Sequence, residues 1–396
     1  MRIYADNAAT TKISEKALRA MTECAQNFIG NPSSLHTSGQ LAAEELQRCR
    51  ERMADLLGAT ESREIYFTSG GSEADNQAIF STAYRFKAKG KTHIVSTAFE
   101  HHAVLHVLNR LEKEGFEITL VPVNENGIVN VEDVEAAITD KTCLVSVMMA
   151  NNEIGTIQPI REIGKLCRDK GVLFHTDAVQ AVGHLKINVE EMNVDLLSLS
   201  AHKFNGPRGV GALYARRGVI LKNLIEGGAQ ERGKRAGTEN LPAIAGMVAA
   251  LEEAVENLDA HAEKLIALRT RLIDGILTIP HTVLNGDKDN RLPGNTNFCF
   301  EGIEGESLLL WLDDKGVEAS SGSACTSGSL DPSHVLLAIG RPKDVAHGSL
   351  RLTLAPENTE EEVDYIIASV KEVVEYLRSM SPVWEELENG EREFIL

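Results

Sequence analysis

Short apolar runs alternate with helical stretches between residues 65 and 214, and this alternation limits the choice of fold more than any other feature of the sequence. Each run has the length of a single buried strand, and the segments between the runs have a helical pattern. Such an order is typical of a mostly parallel sheet covered by helices on both faces. The runs predicted as strands are Ile65–Thr68, His93–Ser96, Ile118–Val121, Cys143–Met149, Val172–His175, Leu196–Leu199 and Val210–Tyr214.

Longer helical patterns flank this region. An apolar stripe from Leu41 to Leu57 predicts an amphipathic helix. Two further patterns, Pro242–Leu258 and His261–Leu277, follow the last predicted strand, and beyond them the alternation becomes looser. A final helix is predicted after the capping box formed by Thr359 and Glu362.

Composition agrees with a large globular protein. The chain has 396 residues, of which 43% are hydrophobic, and this is enough to bury a sizeable core. We therefore predict an α/β protein with a large domain at residues 15–258 and a smaller α+β domain made of residues 1–14 and 259–396.

The net charge and the residues at the N-terminus argue against binding to nucleic acid and against a place in a membrane. The formal net charge is -18, so strong binding to nucleic acid or to anionic lipid is not expected. The first residues lack a basic segment followed by an apolar run, and no stretch is apolar enough to span a membrane. We expect a cytoplasmic protein that is not attached to a membrane.

The cysteines are scattered. None of the 6 belongs to a C-x-x-C pair, which argues against a disulfide scaffold and against a structural zinc site. Cys49 continues a helical apolar stripe and Cys143 lies in an apolar run, so both are predicted to be inert core thiols. Cys325 differs from them, because it is surrounded by serine, glycine, alanine and threonine.

A first candidate site follows the strand that ends at Thr68. The segment Ser69–Asn76 contains Gly71 and Ser72 and turns directly into a predicted helix. Such a turn presents backbone N–H groups and a helix N-terminus, which together bind phosphate. Taken alone, the segment is equally compatible with an ordinary connection between a strand and a helix.

A second candidate site lies at the end of the strand Leu196–Leu199. Lys203 follows this strand, and a lysine in such a buried position is costly unless it is paired or used covalently, for example in a Schiff base to an aldehyde cofactor. Ser200 and His202 flank it with donors that suit a phosphate. The alternative is a surface lysine in a glycine-rich loop.

A carboxylate ends the neighbouring predicted strand. Asp177 there could keep a pyridine nitrogen protonated, and Gln180 could donate to the phenolate oxygen of the same ring. Asp177 could instead be a helix N-cap. The grouping of Asp, Gln, Ser, His and Lys at the ends of successive strands favours a site for pyridoxal phosphate.

At this point the chain resembles the cysteine desulfurases of the NifS and IscS type, within the fold-type I, aspartate-aminotransferase-like enzymes that use pyridoxal phosphate. The resemblance runs nearly from end to end, and so many motifs in the same order leave little room for chance. The motifs that carry it are Tyr4–Thr11, Gly30–His36, Glu100–Val104, Ala150–Thr156, His175–Gly183, Ser200–Gly206, Gln230–Thr238 and Ser320–Ser329.

The resemblance implies roles for further residues. His101 is expected to stack on the cofactor ring and to act as an acid or base near the substrate thiol; without the family it would be read as a histidine packed at a helix start. Asn152 and Arg351 are expected to bind the substrate carboxylate, and the guanidinium fork of Arg351 suits this task. Asn152 is also expected to contact the cofactor.

Thr238 implies a homodimer. In the family the corresponding threonine reaches the phosphate of the neighbouring subunit's cofactor, so two complete sites would require two chains. The alternative is that Thr238 is the N-cap of the helix that begins near Pro242.

Cys325 is the expected sulfur acceptor. The composition of Ser320–Ser329 predicts a flexible loop, which would let Cys325 approach the cofactor and then deliver its sulfur. The resemblance implies that Lys203 moves the substrate's α proton, that Cys325 attacks the substrate sulfur as a thiolate, and that L-cysteine becomes L-alanine. No resident metal is predicted, although the persulfide of Cys325 is a candidate transient ligand of an iron–sulfur cluster.

The resemblance also suggests a pathway. The length of Ser320–Ser329 favours enzymes that supply a NifU- or IscU-like iron–sulfur scaffold protein over selenocysteine lyases, and Gln230–Asn240 with Ser381–Trp384 favours the nitrogenase-associated NifS branch. The alternatives are a housekeeping IscS-like sulfur donor, an aminotransferase that uses the same cofactor, and a sulfur carrier without catalytic activity.

Overall fold

The computed structural model describes residues 2–321 and 332–396, and Cys325 lies outside them. In chain order the strands are β1 (Ile3–Tyr4), β2 (Ile65–Thr68), β3 (His93–Thr97), β4 (Glu117–Val121), β5 (Thr142–Ser146), β6 (Leu173–Asp177), β7 (Leu196–Ser200), β8 (Gly211–Ala215), β9 (Thr282–Leu284), β10 (Asn295–Phe300), β11 (Val317–Glu318) and β12 (Ser349–Thr353). The helices are α1 (Glu15–Asn27), α2 (Thr37–Leu57), α3 (Gly71–Lys87), α4 (His102–Lys113), α5 (Val131–Ala137), α6 (Ile160–Lys170), α7 (Gln230–Gly233), α8 (Leu241–Glu256), α9 (Leu258–Ile276), α10 (Gly305–Asp314), α11 (His334–Ala338), α12 (Lys343–Ala346), α13 (Glu360–Ser379) and α14 (Pro382–Glu388).

A seven-stranded sheet is the largest sheet of the described residues, and its order is β2-β8-β7-β6-β5-β3-β4. Strands β3 to β7 run parallel, whereas β8 is antiparallel to both of its neighbours. Each of the predicted runs contributes one strand. The prediction of an α/β fold with a mostly parallel sheet is therefore confirmed.

One strand ends earlier than predicted. The apolar run that begins at Cys143 continues to Met149, but β5 ends at Ser146. Beyond it, the amides of Val147 and Met149 still donate to carbonyl groups of His175 and Asp177. The run remains apolar because its last residues are buried beside the candidate site rather than inside the sheet.

Local signals set the ends of the helices. Helix α2 stops at Gly58, which adopts φ 69°, a conformation that glycine reaches at little cost. Helix α13 begins with the predicted capping box, in which Thr359 accepts from the amide of Glu362 and Glu362 accepts in return. No helix within the described residues is long and apolar enough to cross a membrane.

Smaller sheets lie outside the large one. Strands β12, β10 and β9 form an antiparallel sheet, and β1 pairs in parallel with β11. Ile3 and Ala5 share a hydrophobic cluster with residues of α9, β10, β12 and α13. The start of the chain is therefore fixed against residues that lie far along the sequence.

The described cysteines are all buried. Burial raises the pKa of Cys49 and of Cys143 to about 12, so neither forms a thiolate readily. This agrees with the prediction that both are inert core thiols.

Candidate active site

A cavity of about 300 Å³ lies at the carboxyl ends of β6 and β7. This is the edge at which parallel α/β sheets bind their ligands. Of the predicted site residues, those that line the cavity are Gly71, Ser72, His101, Asn152, Asp177, Gln180, Ser200, His202, Lys203 and Arg351. The structure thus brings together side chains that are separated by up to 280 positions in the sequence, from Gly71 to Arg351.

A second cavity, next to the first, is lined by groups that suit a phosphate. It measures about 360 Å³, and its walls include the N-terminus of α3, Ser200, His202 and Arg208. A Cβ atom on Gly71 would come within 2.5 Å of Cγ2 of Val179, so the first turn of α3 fits against its neighbour only with glycine there. Backbone amides at the helix start and the guanidinium of Arg208 suit a phosphate, and His202, whose pKa burial lowers to about 4, adds a neutral ring beside them.

Lys203 projects from a short turn that follows β7. Its Nζ atom donates to the carbonyl oxygens of Ala8, at 2.6 Å, and of Ala9, at 2.9 Å. The Nε2 atom of Gln180 donates to the same Ala8 oxygen at 2.9 Å. A backbone segment near the start of the chain therefore fixes both residues, and nothing in the sequence pattern indicated it.

Asp177 is the last residue of β6 and is buried. Its Oδ1 atom accepts from the amide of Val179 at 2.9 Å and so caps a turn, but no helix begins directly after Asp177, so the alternative of a helix N-cap was wrong. Burial, and next the nearby charge of Asp75, raise the pKa of Asp177 to about 7. A cation such as a protonated ring nitrogen would stabilise the ionised form of this carboxyl.

Asp75 is a site residue that the sequence analysis missed. It lines the cavity, it is 1% exposed, and its Oδ1 atom has no hydrogen-bond partner among the described residues. Burial raises its pKa to about 7. One signal was present, because Asp75 stands next to Ala74 on the face of α3 that packs against the sheet.

His101 combines two predicted roles. It is the N-cap of α4, where its Nδ1 atom accepts from the amide of Ala103 at 3.1 Å, and it also lines the cavity. Burial, and next the charge of Lys203, lower its pKa to about 4. A neutral ring that accepts at Nδ1 carries its proton on Nε2, so we assign His101 as a donor through Nε2.

Arg351 lies on β12 and is 2% exposed. Its Nη1 atom donates to the carbonyl oxygen of Asn152 at 3.0 Å, and its Nη2 atom is 2.7 Å from Oδ1 of Asp6. The Nε atom is buried and has no hydrogen-bond partner among the described residues. Asp6 is a second residue that the sequence analysis missed.

Among the described residues, one predicted site residue, Thr238, does not line the cavity. Thr238 is exposed, and Asn240 rather than Thr238 is the N-cap of α8, because the helix begins one residue after Asn240 and that side chain accepts from Ala243. The N-cap alternative for Thr238 was therefore wrong. Cys325 lies outside the described residues. Before it in the chain, Ser320 pairs with the backbone of Arg351, and after it Ser333 donates to the buried Glu153, the neighbour of Asn152 in the sequence, at 2.5 Å.

The donor set fits pyridoxal phosphate. One end of the site offers a helix start with serine and histidine side chains for a phosphate. The other end offers a lysine for an aldehyde and a buried carboxylate for a ring nitrogen.

Comparisons with known proteins agree with this geometry. Residues 3–366 match the family described as aminotransferase class-V. A Clostridium botulinum protein described as cysteine desulfurase IscS is 55% identical over 395 residues, 99% of each chain. A protein of the same description from Methanosarcina thermophila is 51% identical and covers 96% of this chain and 94% of its own. A solved structure described as a NifS-like protein has a TM-score of 0.89 and 38% identity, over 95% of this chain and 100% of its own.

Proposed function

Because this chain belongs to the class-V aminotransferase family and is a cysteine desulfurase, we propose that it transfers the sulfur of L-cysteine to Cys325 as a persulfide and leaves L-alanine. The observation that carries the proposal is that Lys203, Asp177 and Arg351 share one cavity. They supply a covalent anchor, a partner for a ring nitrogen and a receptor for a carboxylate.

We propose the following division of work. Pyridoxal phosphate supplies an aldehyde that binds an amine and a ring that accepts electrons. Gly71, Ser72, Ser200 and His202 would hold its phosphate, and Asp177 would keep its ring nitrogen protonated. Gln180 would turn from the carbonyl oxygen of Ala8 toward the ring oxygen.

The substrate is bound and activated by other residues. Arg351, with Asn152 beside it, receives the carboxylate of L-cysteine. Lys203 would remove the α proton of the substrate and return a proton to the α carbon, as the product L-alanine requires. His101 donates through Nε2 toward the substrate sulfur, because its Nδ1 atom is occupied by the amide of Ala103.

Sulfur transfer is balanced without an external oxidant. The thiolate of Cys325 attacks the substrate sulfur, the bond between that sulfur and the β carbon breaks, and the electron pair stays with the carbon, which gains a proton. The products are L-alanine and a persulfide on Cys325. Pairing of Ser320 with Arg351 supports this assignment, since the chain that leads to Cys325 passes the carboxylate receptor.

We further propose that the persulfide supplies an iron–sulfur scaffold protein, that the protein acts in the cytoplasm, and that it is a homodimer in which Thr238 completes the site of the neighbouring subunit. The exposed position of Thr238 supports the last point. Sequence features favour the nitrogenase-associated branch, whereas the relatives named above carry the IscS name. Rates of sulfur transfer from labelled L-cysteine to a NifU-like and to an IscU-like scaffold would distinguish the two branches.

Replacement of Cys325 tests the central step. We expect Cys325→Ala to remain yellow when loaded with cofactor and to change its absorbance spectrum on addition of L-cysteine, because the cavity is intact. It should form no persulfide and release no alanine. Cys299→Ala is the matched control and should keep turnover, since burial raises the pKa of Cys299 to about 11. Wild-type release of sulfide by Cys325→Ala would instead indicate direct elimination.

A further inference from the structure

The carboxylate receptor already holds a carboxylate of the chain itself. Backbone hydrogen bonds fix the segment around Asp6 to β12: the amide of Thr353 donates to Ala5 at 2.7 Å, and the amide of Ala8 donates to the Thr353 hydroxyl at 2.9 Å. This register places Oδ1 of Asp6 2.7 Å from Nη2 of Arg351. The pairing is therefore built into the fold.

A buried guanidinium requires such a counter-charge. The side chain of Arg351 is 3% exposed and that of Asp6 is 20% exposed. Without Asp6, the guanidinium of Arg351 would keep one hydrogen bond, to the Asn152 carbonyl, with the buried Glu153 as the remaining nearby carboxyl, and so little compensation of a buried charge is unfavourable. Asp6 supplies the compensation as long as no amino acid is bound.

An incoming carboxylate competes for the same donors. A carboxylate binds arginine best through two adjacent N–H groups. Nη1 donates to the Asn152 carbonyl and Nη2 to Asp6, so a bidentate contact at the Nε and Nη2 edge would place a second carboxylate on the nitrogen that Asp6 already contacts. Two carboxylates on one buried guanidinium would leave an uncompensated negative charge. Asp6 is the more exposed partner, and its carboxylate can turn toward water.

We propose that Asp6 is the resting counter-ion of Arg351, which the carboxylate of the amino-acid substrate displaces and which returns as the product leaves. The inference rests on the proposed role of Arg351 in substrate binding. In this scheme Asp6 is a positioning residue that weakens substrate and product binding together, and so it favours release of alanine.

The substitution Asp6→Asn isolates the charge. Asparagine keeps an oxygen that accepts from Nη2 but no longer competes as an anion. We expect L-alanine to bind the cofactor-loaded variant about fivefold more tightly than wild type, the effect of about 1 kcal/mol. In turnover of L-cysteine, KM and kcat should fall together, because release of alanine becomes slower.

The binding experiment uses spectral titration of the cofactor-loaded protein with L-alanine and with cysteamine. Cysteamine has an amine and a thiol but no carboxylate, so its affinity should be equal in wild type and Asp6→Asn. Asp6→Glu retains the charge and should restore wild-type affinity for L-alanine. Asp364→Asn, at an exposed ion pair with Arg271, is the control and should change neither affinity.

Weaker binding of L-alanine by Asp6→Asn would overturn the proposal, because it would mean that Asp6 only orients Arg351. An equal change for cysteamine would overturn it as well. Should Asp6→Asn fail to load cofactor, Asp6→Ser is titrated in the same way and read by the same criteria. Failure of the proposed function has a different signature, namely the absence of alanine and persulfide from wild type given L-cysteine.

Discussion

Asp75 and Asp177 are buried carboxyl groups that line the cavity, and a third, Glu100, is buried near them. Burial is the main cause that raises the pKa of each, to about 7 for Asp75 and Asp177 and to about 8 for Glu100. The charge of Asp75 raises the pKa of Asp177 further, and the charges of Asp177 and Asp75 raise the pKa of Glu100 further. A bound cation would therefore stabilise the ionised form of these carboxyl groups. A protonated ring nitrogen beside Asp177 is such a cation.

This arrangement predicts a pH-dependent effect of Asp177→Asn on the cofactor-free protein. The pKa of Asp177 is raised from 3.8 to about 7, so between these values the folded state binds more protons than the unfolded state, and stability falls as pH rises. Asparagine does not titrate. We expect the variant to gain stability relative to wild type as pH rises from about 4 to about 7, so that the difference in free energy of unfolding changes in its favour by at least about 1 kcal/mol.

Asp364→Asn should change the pH dependence of stability in the opposite direction. Its hydrogen bond with Arg271 lowers the pKa of Asp364, so this carboxylate contributes stability above its unfolded pKa, and that stability is lost as pH falls. The Asp364 variant should therefore be the less stable protein near neutral pH. A difference between Asp177→Asn and wild type that does not change with pH would contradict a buried, titrating Asp177.

Residues at strand ends could be predicted from the sequence, whereas residues that act through distant pairing could not. Lys203, Asp177 and Ser200 follow apolar runs directly, so their place at one edge of the sheet follows from the order of strands. Asp6 meets Arg351 only because the segment after β1 pairs beside β12, 345 positions away. No local pattern carries that register, and the same holds for the Ala8 oxygen that accepts from Lys203.

At the scale of elements, the start of α3 is closely packed against the loop that follows β6. Its first turn touches Val179 of the loop after β6, and the two segments meet where the phosphate would bind. The sequence predicted this turn because glycines followed a strand. It could not show how closely the two segments approach, since that depends on the spacing of strands and helices.

This contact predicts a rescue between two substitutions. Gly71→Ala should cost about 1–3 kcal/mol of stability through overpacking against Val179 and should weaken cofactor binding, because the first turn of α3 must move. Val179→Ala removes the Cγ2 atom that the new methyl group would meet. The double variant should therefore recover most of the loss, measured by thermal unfolding and by cofactor titration. Additive losses would show that the contact is not the cause.

At the scale of the whole molecule, the described residues form separate hydrophobic clusters. Those on the large sheet contain residues such as Val145 and Phe174, and another contains Ile3, Leu272 and Val370. These clusters support our proposal of a large domain at 15–258 and a smaller one made of 1–14 and 259–396. The sequence suggested the second domain only through the loss of regular alternation.

The proposed dimer predicts complementation between two damaged chains. Lys203→Ala lacks the covalent anchor, and Thr238→Ala should bind cofactor about tenfold more weakly, the effect of one hydrogen bond to a charged group. In a purified heterodimer of the two, the chain with Lys203 receives an intact Thr238 from its neighbour. That single site should bind cofactor with wild-type affinity. Affinity equal to that of the Thr238→Ala homodimer would place Thr238 in the site of its own chain.

The attachment of residues 3–10 has a consequence for how the protein is made. These residues are synthesised before their partners: β1 pairs with Val317–Glu318, and Asp6 in the segment after it pairs with Thr353. A chain still growing on the ribosome has no partner for its first segment, and Lys203 lacks the carbonyl oxygens that hold it. The candidate site is therefore incomplete until the residues of β12, which include Arg351, have been made.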